Sequence, residues 1–317
     1  MAPIDITVIG ELNMDLIMDH VNNLPAIGKE RIAQRMVTTL GSSSAIFASN
    51  AASLGMSIAF TGRVGDDLFG RQILEILKSR KLDTADITIS KTEQTGLTFI
   101  YTFQNDRGMV TYPGAMEEQT IADIKWERVA QSRHLHMSSY YLQKGMQSGC
   151  AEMFQKAKSM GLTTSLDTNW DPDEKWGDEL FEVLKHVDVF LPNDDEARLI
   201  SKKQNLEDAI AFLSSFGCTV VATCGARGII ARDKYQHYHV APVDVTRVDA
   251  VGAGDSFNAG FLSKYINGNS IEACLSFGVI TASFSITRAG GTTAFQDMDR
   301  FREFAEKTNP LLTVTKV

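Results

Sequence analysis

The sequence predicts an α/β protein, three layers with a mainly parallel central sheet covered by helices on both faces. Three observations carry that expectation. Short runs rich in β-branched and aromatic residues recur along the chain, and most are near-continuously apolar, as strands buried on both faces are. Helical patterns stand between them, the order that βαβ units require. The 317 residues contain no internal repeat, low-complexity tract or proline-rich linker, so a single unit is expected over 1–317.

In chain order the first strand is expected at Ile6–Ile9, followed by a helix over Ala45–Leu54, a strand over Ile58–Thr61 and a helix over Leu68–Lys81. The middle of the chain reads as strand His134–Ser138, helix Met146–Met160, strand Thr163–Asp167, helix Leu180–His186 and strand Val187–Leu191. Helix Leu206–Phe216 then precedes strands Val220–Thr223 and Gly228–Ala231. Many of the helices end in glycine or a basic residue, the usual stop signals. Lys29–Leu40 and Thr95–Pro113 break the alternation, being polar-apolar extended segments with no helix beside them. They predict a small β-sheet, formed by about 11–40 and 95–113, projecting as a lid over the strand ends where open α/β sheets bind ligands. Two hairpins at a sheet edge would give the same pattern.

Composition removes several function classes. With 31 Lys and Arg against 39 Asp and Glu the net charge is −8, so no basic field exists to hold a nucleic-acid backbone or an anionic membrane. The first ten residues lack a basic leader, and no stretch reaches the roughly 18 apolar residues of a membrane span, so a cytoplasmic location is expected. Cys150, Cys218, Cys224 and Cys274 are scattered without a Cys-x-x-Cys pair, which predicts reduced, buried thiols rather than a metal or redox site.

The stretch richest in chemistry is Asp249-Ala-Val-Gly252-Ala253-Gly254-Asp255-Ser256-Phe257-Asn258-Ala259-Gly260-Phe261. Its small residues permit a tight turn, after which Phe257, Phe261 and Tyr265 repeat at helical spacing until Gly268. Asp255 then lies at a helix N-terminus, where the free amides of 252–255 and the positive dipole end can hold a developing anion such as a transferring phosphoryl group. A carboxylate beside that cradle can take the proton of an attacking hydroxyl, while a plain N-cap would use the same aspartate.

This stretch resembles the C-terminal signature of the ribokinase-like, PfkB-type carbohydrate kinases. The resemblance extends over nearly the whole chain: Gly10-Glu-Leu-Asn13-Met-Asp15, Gly62-Arg-Val-Gly65-Asp66-Asp67-Leu-Phe-Gly70, Asn193-Asp-Asp-Glu196, Thr223-Cys-Gly225-Ala-Arg-Gly228 and Thr287-Arg-Ala-Gly290-Gly291 follow in the family's order. The resemblance implies the ribokinase-like three-layer fold, ATP and Mg²⁺ as cofactors, and transfer of the γ-phosphoryl to a sugar hydroxyl. It implies that Asp255 is the general base and that the amides of Gly252, Ala253 and Gly254 form the anion hole. Asn193 and Glu196 would organise Mg²⁺, Glu196 through water, although read alone Pro192–Glu196 is a strand end followed by a capped, acidic helical turn. Thr223, Gly225 and Gly228 would lie by the nucleotide phosphates, with Val279, Ala282 and Ser283 among candidates for an adenine wall. Asp249, with carbonyls near Ala289 and Gly291, would serve a monovalent cation such as K⁺. A homodimer through the lid is implied by the same likeness.

Asn13 and Asp15 match the family's sugar-gripping pair, and a carboxylate suits two neighbouring hydroxyls because it accepts from both. The next sugar element departs from the family. Gly41-Ser42-Ser43-Ser44-Ala45-Ile46 replaces a second glycine by Ser42 and a helix-face asparagine by Ile46. Gly41, Ser42 and Ser43 remain candidates for substrate contact, and the serines could equally cap the helix. In Asp167-Thr-Asn169-Trp170-Asp171, similar to an element of the fructokinase and 2-keto-3-deoxygluconate kinase branch, Asp171 stands in place of an arginine and is expected to repel sugar acids. The substrate expected is therefore a neutral furanose such as fructose or ribose. A nucleoside, its base walled by Ile46, Tyr140 and Tyr141, is the alternative; a 2-keto-3-deoxygluconate kinase and a non-catalytic sugar-binding regulator rank below it. No Gly-x-x-x-x-Gly-Lys-Ser/Thr and no Gly-x-Gly-x-x-Gly after the first strand support other nucleotide folds.

Overall fold

Fourteen strands form two sheets in the computed structural model, which describes residues 3–104 and 106–316. They are β1 (Ile4–Ile9), β2 (Asn13–Asp19), β3 (Arg35–Leu40), β4 (Ile58–Gly65), β5 (Asp83–Ser90), β6 (Gly96–Phe103) and β7 (Asp106–Tyr112). Then come β8 (Ser132–Met137), β9 (Thr163–Leu166), β10 (Val189–Phe190), β11 (Thr219–Thr223), β12 (Ile229–Arg232), β13 (Gln236–Val240) and β14 (Leu312–Lys316). The large sheet has the order β14-β13-β12-β11-β10-β9-β8-β1-β4-β5. From β11 to β5 every neighbouring pair is parallel; β12, β13 and β14 close the other edge antiparallel.

The centre of that sheet is apolar, as strands buried on both faces must be. Ile6, Val8 and Ile9 of β1 are fully buried, because β1 pairs with β4 on one side and β8 on the other and helices cover both faces. Alternate β1 residues accordingly reach two cores: Ile9 belongs to one cluster with Phe154, Leu180 and Phe190, Ile6 and Val8 to another with Phe60, Phe257 and Leu275. All four cysteines are buried and unpaired, as expected.

The small sheet has the order β3-β2-β6-β7 and is built from 13–40 and 96–112, within the segments anticipated. Residues 29–34 are not strand, so the extended segment begins at Arg35. The Gly62–Gly70 pattern ties the two sheets together. Asp67 caps the helix Leu68–Ser79 through the Gly70 amide (2.8 Å) and accepts the Thr95 amide (2.7 Å) and hydroxyl (2.8 Å), fixing the entry to β6 at the end of β4. Three strands, β5, β13 and β14, go beyond those anticipated. β5 and β14 lie at the sheet edges and are half exposed, so they lack a continuous apolar run.

Candidate active site

The strand β1 ends at Gly10, and the next five residues carry three carboxylate or amide side chains into a buried corner. Asn13 and Asp15 are both buried at the start of β2. The Asn13 Nδ2 donates to Asp15 Oδ1 and to Thr98 Oγ1 of β6, both at 3.0 Å. Both amide protons are thereby taken, which leaves Asn13 Oδ1 and Asp15 Oδ2 as acceptors without a donor among the described residues. Gly41 lies against this pair. A Cβ there would fall 2.2 Å from Asp15 Oδ1 and 2.6 Å from Asn13 Nδ2, so only glycine admits them.

The three serines after Gly41 each have a distinct task. Ser42 caps the helix Ser43–Ser53 by accepting the Ala45 amide (2.9 Å) and donates to the Glu11 carbonyl (2.6 Å). Of the two roles the sequence allows for Ser42, the helix cap is the one these bonds show, and its single proton is taken by the Glu11 carbonyl. Ser43 donates instead to Asp255 Oδ1, across 212 residues of sequence. Ser44 donates from its hydroxyl to Glu11 Oε2 and from its amide (3.3 Å) to Glu11 Oε1, which also accepts from Ser139 Oγ (2.9 Å).

Asp255 lies in the first turn of the helix Ala253–Tyr265, whose cap, Gly252, has a left-handed φ of 72°. Glycine is required there twice over, since a Cβ would also fall 2.7 Å from the Gly291 Cα. Among the described residues the amides of Gly252, Gly254 and Asp255 have no acceptor, whereas the Ala253 amide reaches the Ala250 carbonyl at 3.3 Å. The turn therefore presents unpaired N–H groups at a positive helix end, an anion cradle. Asp255 Oδ2 also has no donor among the described residues. Burial pushes the Asp255 carboxyl well above the usual carboxylate range, the charge of Asp167 adds to that, and the Ser43 bond opposes it.

On the other side of the turn a cavity of about 490 Å³ opens. Ala253 and Gly254 form its inner end, Thr223, Gly225 and Gly228 one wall, and Val279, Ala282 and Ser283 another. Asn193 is bridged in parallel to Thr223, so the two motifs expected near the phosphates are adjacent. Glu196 is buried and accepts the Asn193 amide at 3.0 Å and its Nδ2 at 2.6 Å, a capping box on the helix Asp194–Ser201. The structural role that Pro192–Glu196 suggests by itself is thus present alongside the site position.

Four acidic groups, Glu11, Asp167, Glu196 and Asp255, influence one another here. Burial raises the Glu196 carboxyl above its ordinary value, and the charge of Asp167 raises it further. Asp167 is raised by burial and restrained by the Asn169 amide and by Asn258 Nδ2 at 2.6 Å. Asp15 is pushed up to about 6 by burial, with Asn13 and the Arg107 charge acting against it. Among the described residues no three acidic, histidine or cysteine side chains stand together as a metal-holding group, so Mg²⁺, which keeps most of its waters, would be held by few protein oxygens together with those of the phosphates. Because both Glu196 oxygens already accept bonds from Asn193, water between Glu196 and the ion suits the arrangement.

Three further groups of expected residues have partners within the protein. Asp249 clips the loop, accepting the Val251 amide on Oδ1 (3.0 Å) and the Gly290 amide on Oδ2 (2.9 Å), and the Gly291 carbonyl takes Asn50 Nδ2 (2.9 Å). The groups expected to serve a monovalent cation thus also anchor the loop. Asp171 accepts three amides, from Asp173, Lys175 and Trp176 at 2.8–3.0 Å, and so organises its own loop. Ile46 packs beneath the catalytic turn against Gly252 and Gly291, and Tyr140 and Tyr141 belong to the core with Trp176, so none of the three is free to wall a base. Sequence reasoning missed Glu11, Ser139, Asn258 and Arg107. Glu11 carried a signal, an acid at the end of an otherwise apolar strand, but nothing in the spacing pairs it with Ser44 and Ser139.

Known proteins resemble this chain over nearly its whole length. The model of the pfkB family carbohydrate kinases matches residues 4–298. A ribokinase of Haemophilus influenzae is 27% identical over 314 residues, covering 95% of this chain and 98% of its own. A nucleoside kinase of Methanothermobacter thermautotrophicus is 26% identical, covering 92% and 93%. The fold matches that of Arabidopsis thaliana ribokinase complexed with ribose and ATP, with a TM-score of 0.85, 22% identity, and coverage of 97% of this chain and 100% of that one. Among the described residues no helix is long and apolar enough to cross a membrane. With the family's motifs in order from Gly10 to Gly291 and its model spanning nearly the whole length, the chain belongs to the pfkB family of carbohydrate kinases and is a phosphotransferase.

Proposed function

We propose that the protein transfers the γ-phosphoryl group of ATP to a primary hydroxyl of a neutral furanose-type sugar such as fructose or ribose. The observation that carries this reading is the connection through Ser43. One helix start holds the Asp255 carboxylate, and the residue two before Ser43, Gly41, lies against the open acceptors of Asn13 and Asp15. Sugar hydroxyls donating to Asn13 Oδ1 and Asp15 Oδ2 would hold the ring while a further hydroxyl reaches Asp255 Oδ2.

In this mechanism Asp255 accepts the hydroxyl proton as the oxygen attacks, and its raised pKa brings it nearer the working pH of a general base. The unpaired amides of Gly252 and Gly254, with that of Asp255, meet the charge on the transferring phosphoryl. Thr223, Gly225 and Gly228 would border the nucleotide, and Asn193 and Glu196 would hold Mg²⁺, Glu196 through water; when bound, the ion would neutralise phosphate charge. Asp255 must be ionised to act, so turnover rises with pH through its apparent pKa.

Acidic sugars are disfavoured by the wall of Glu11, Asp15 and Asp167, the role first sought at Asp171. The small sheet acts as a lid that excludes water, since an open site would hydrolyse ATP. Its exposed Met36, Met109 and Val110 are the surface through which two copies would pair. ADP release measured across a panel of neutral sugars, sugar acids and nucleosides tests the reading. Turnover of a furanose alone supports it, and turnover confined to nucleosides or acids contradicts it.

A further inference from the structure

The far end of the helix Ser43–Ser53 borders a second cavity. This cavity, of about 600 Å³, is lined by Ser53, Ser79, Arg80, Lys81, Phe295 and Gln296 together with Ala52. It shares no lining residue with the nucleotide cavity and falls within the size range of small-molecule sites. Its cations are Arg80 and Lys81, from the run Lys78-Ser79-Arg80-Lys81, in a chain whose net charge is −8. Among the described residues none of the run's three cations has an ion pair or a side-chain hydrogen bond. A helix C-terminus accounts for Lys78, which sits in the last turn where cations complement the dipole. It does not account for Arg80. That guanidinium is half-buried, burial alone pulls it below its ordinary range, and no carboxylate compensates it.

The serines narrow the ligand. Ser53 donates its proton to the Ser49 carbonyl (3.0 Å) and Ser79 to the Ile76 carbonyl (2.7 Å). Their oxygens are left to accept, which suits the hydroxyls of a ligand rather than its phosphate. We infer that this cavity binds a sugar phosphate, with Arg80 and Lys81 on the phosphate and Ser53 and Ser79 accepting from the polyol. The cavity abuts both elements that frame Asp255. Ser53 ends the helix that Ser43 begins, and Phe295 follows the Gly291 segment, whose carbonyl Asn50 holds and against which Gly252 packs.

The site is separate from the reaction proposed above, and its test reads binding rather than turnover. The full chain, saturated with a non-hydrolysable ATP analogue so that the catalytic amides are filled, is titrated calorimetrically with glucose 6-phosphate and with inorganic phosphate. Saturable binding of glucose 6-phosphate is expected, tighter than that of inorganic phosphate. It should weaken about tenfold or more in Arg80→Met and in Lys81→Met, the latter an exposed position that leaves the fold intact. Basal turnover stays unchanged in both variants. Equal affinity for the two probes overturns the sugar-phosphate assignment; absence of saturable heat, or isotherms identical in wild type and both variants, overturns the site.

Discussion

On one side of Asp255 the walls are carboxylates; on the other they are glycines and aliphatic side chains. The acceptor side gathers Glu11, Asp15 and Asp167 in a desolvated corner where each is held by named donors: Ser44, Ser139, Asn13 and Asn258. The nucleotide side offers Thr223, Gly225, Ala253, Gly254, Val279 and Ala282 around an open cavity. On the proposed function, selectivity would belong to the first region, because buried acceptors left without donors are costly and a ligand lacking matching hydroxyls cannot supply them. The second is suited to hold a nucleotide through backbone groups and shape. Asp255 lies where the two meet, and the charges that raise its carboxyl come from both, Asp167 and Glu11 from the first and Glu196 from beside the second.

Variants that disturb one region and spare the other break or sharpen this contrast. Asp255→Asn should lose at least ~10²-fold in turnover while nucleotide affinity stays near wild type, read by steady-state kinetics and nucleotide titration. Retained turnover removes the base assignment. Gly41→Ala places a methyl against Asp15 and Asn13, and a displacement of about 1 Å in a positioning group costs up to ~10²-fold. The KM for sugar should rise by that order with the KM for ATP unchanged; a parallel rise in both would mean the two regions are not independent.

Asp15→Asn separates stability from function. Burial holds the folded Asp15 carboxyl at about 6 against an ordinary 3.8, so its proton stabilises the fold fully below pH ~4, and that contribution is lost as pH rises through about 6. The variant should weaken sugar binding yet stabilise the sugar-free protein at pH 8 by about 1–3 kcal/mol, with little gain at pH 4. Urea melts at the two pH values check this, and an equal change at both refutes it. Ser43→Ala removes the bond that lowers the Asp255 pKa, so the acid limb of the rate profile should move to higher pH by less than about one unit. A limb unmoved, or moved to lower pH, would show that Ser43 does not tune the base.

The contrast between the regions also explains what was legible beforehand. The nucleotide side was readable because its parts are contiguous: Thr223–Gly228 and Asp249–Phe261 each form one turn, and glycines there answer to local backbone demands such as the φ of Gly252. The acceptor side was readable only as candidates. Asn13 and Asp15 share a strand, but the tasks of Ser42, Ser43 and Ser44 depend on Glu11 and Asp255, residues brought near by the β1 and Ala253–Tyr265 packing rather than by spacing. Asp171 shows the converse. Its position suggested an electrostatic role toward substrate, and only the three-dimensional loop reveals that its oxygens face the amides of 173, 175 and 176. The parallel core announced itself through Ile6–Ile9 and Val220–Thr223, whereas β5 and β14, half exposed at the edges, carry no comparable run.

The most direct test of the account is a structure with a non-hydrolysable ATP analogue and the acceptor sugar both bound. The account predicts the reacting hydroxyl about 2.6–3.2 Å from an Asp255 carboxylate oxygen, with the terminal phosphate facing the Gly252 and Gly254 amides. A hydroxyl held by another group, with Asp255 beyond hydrogen-bond reach and those amides turned away from the phosphate, would contradict it.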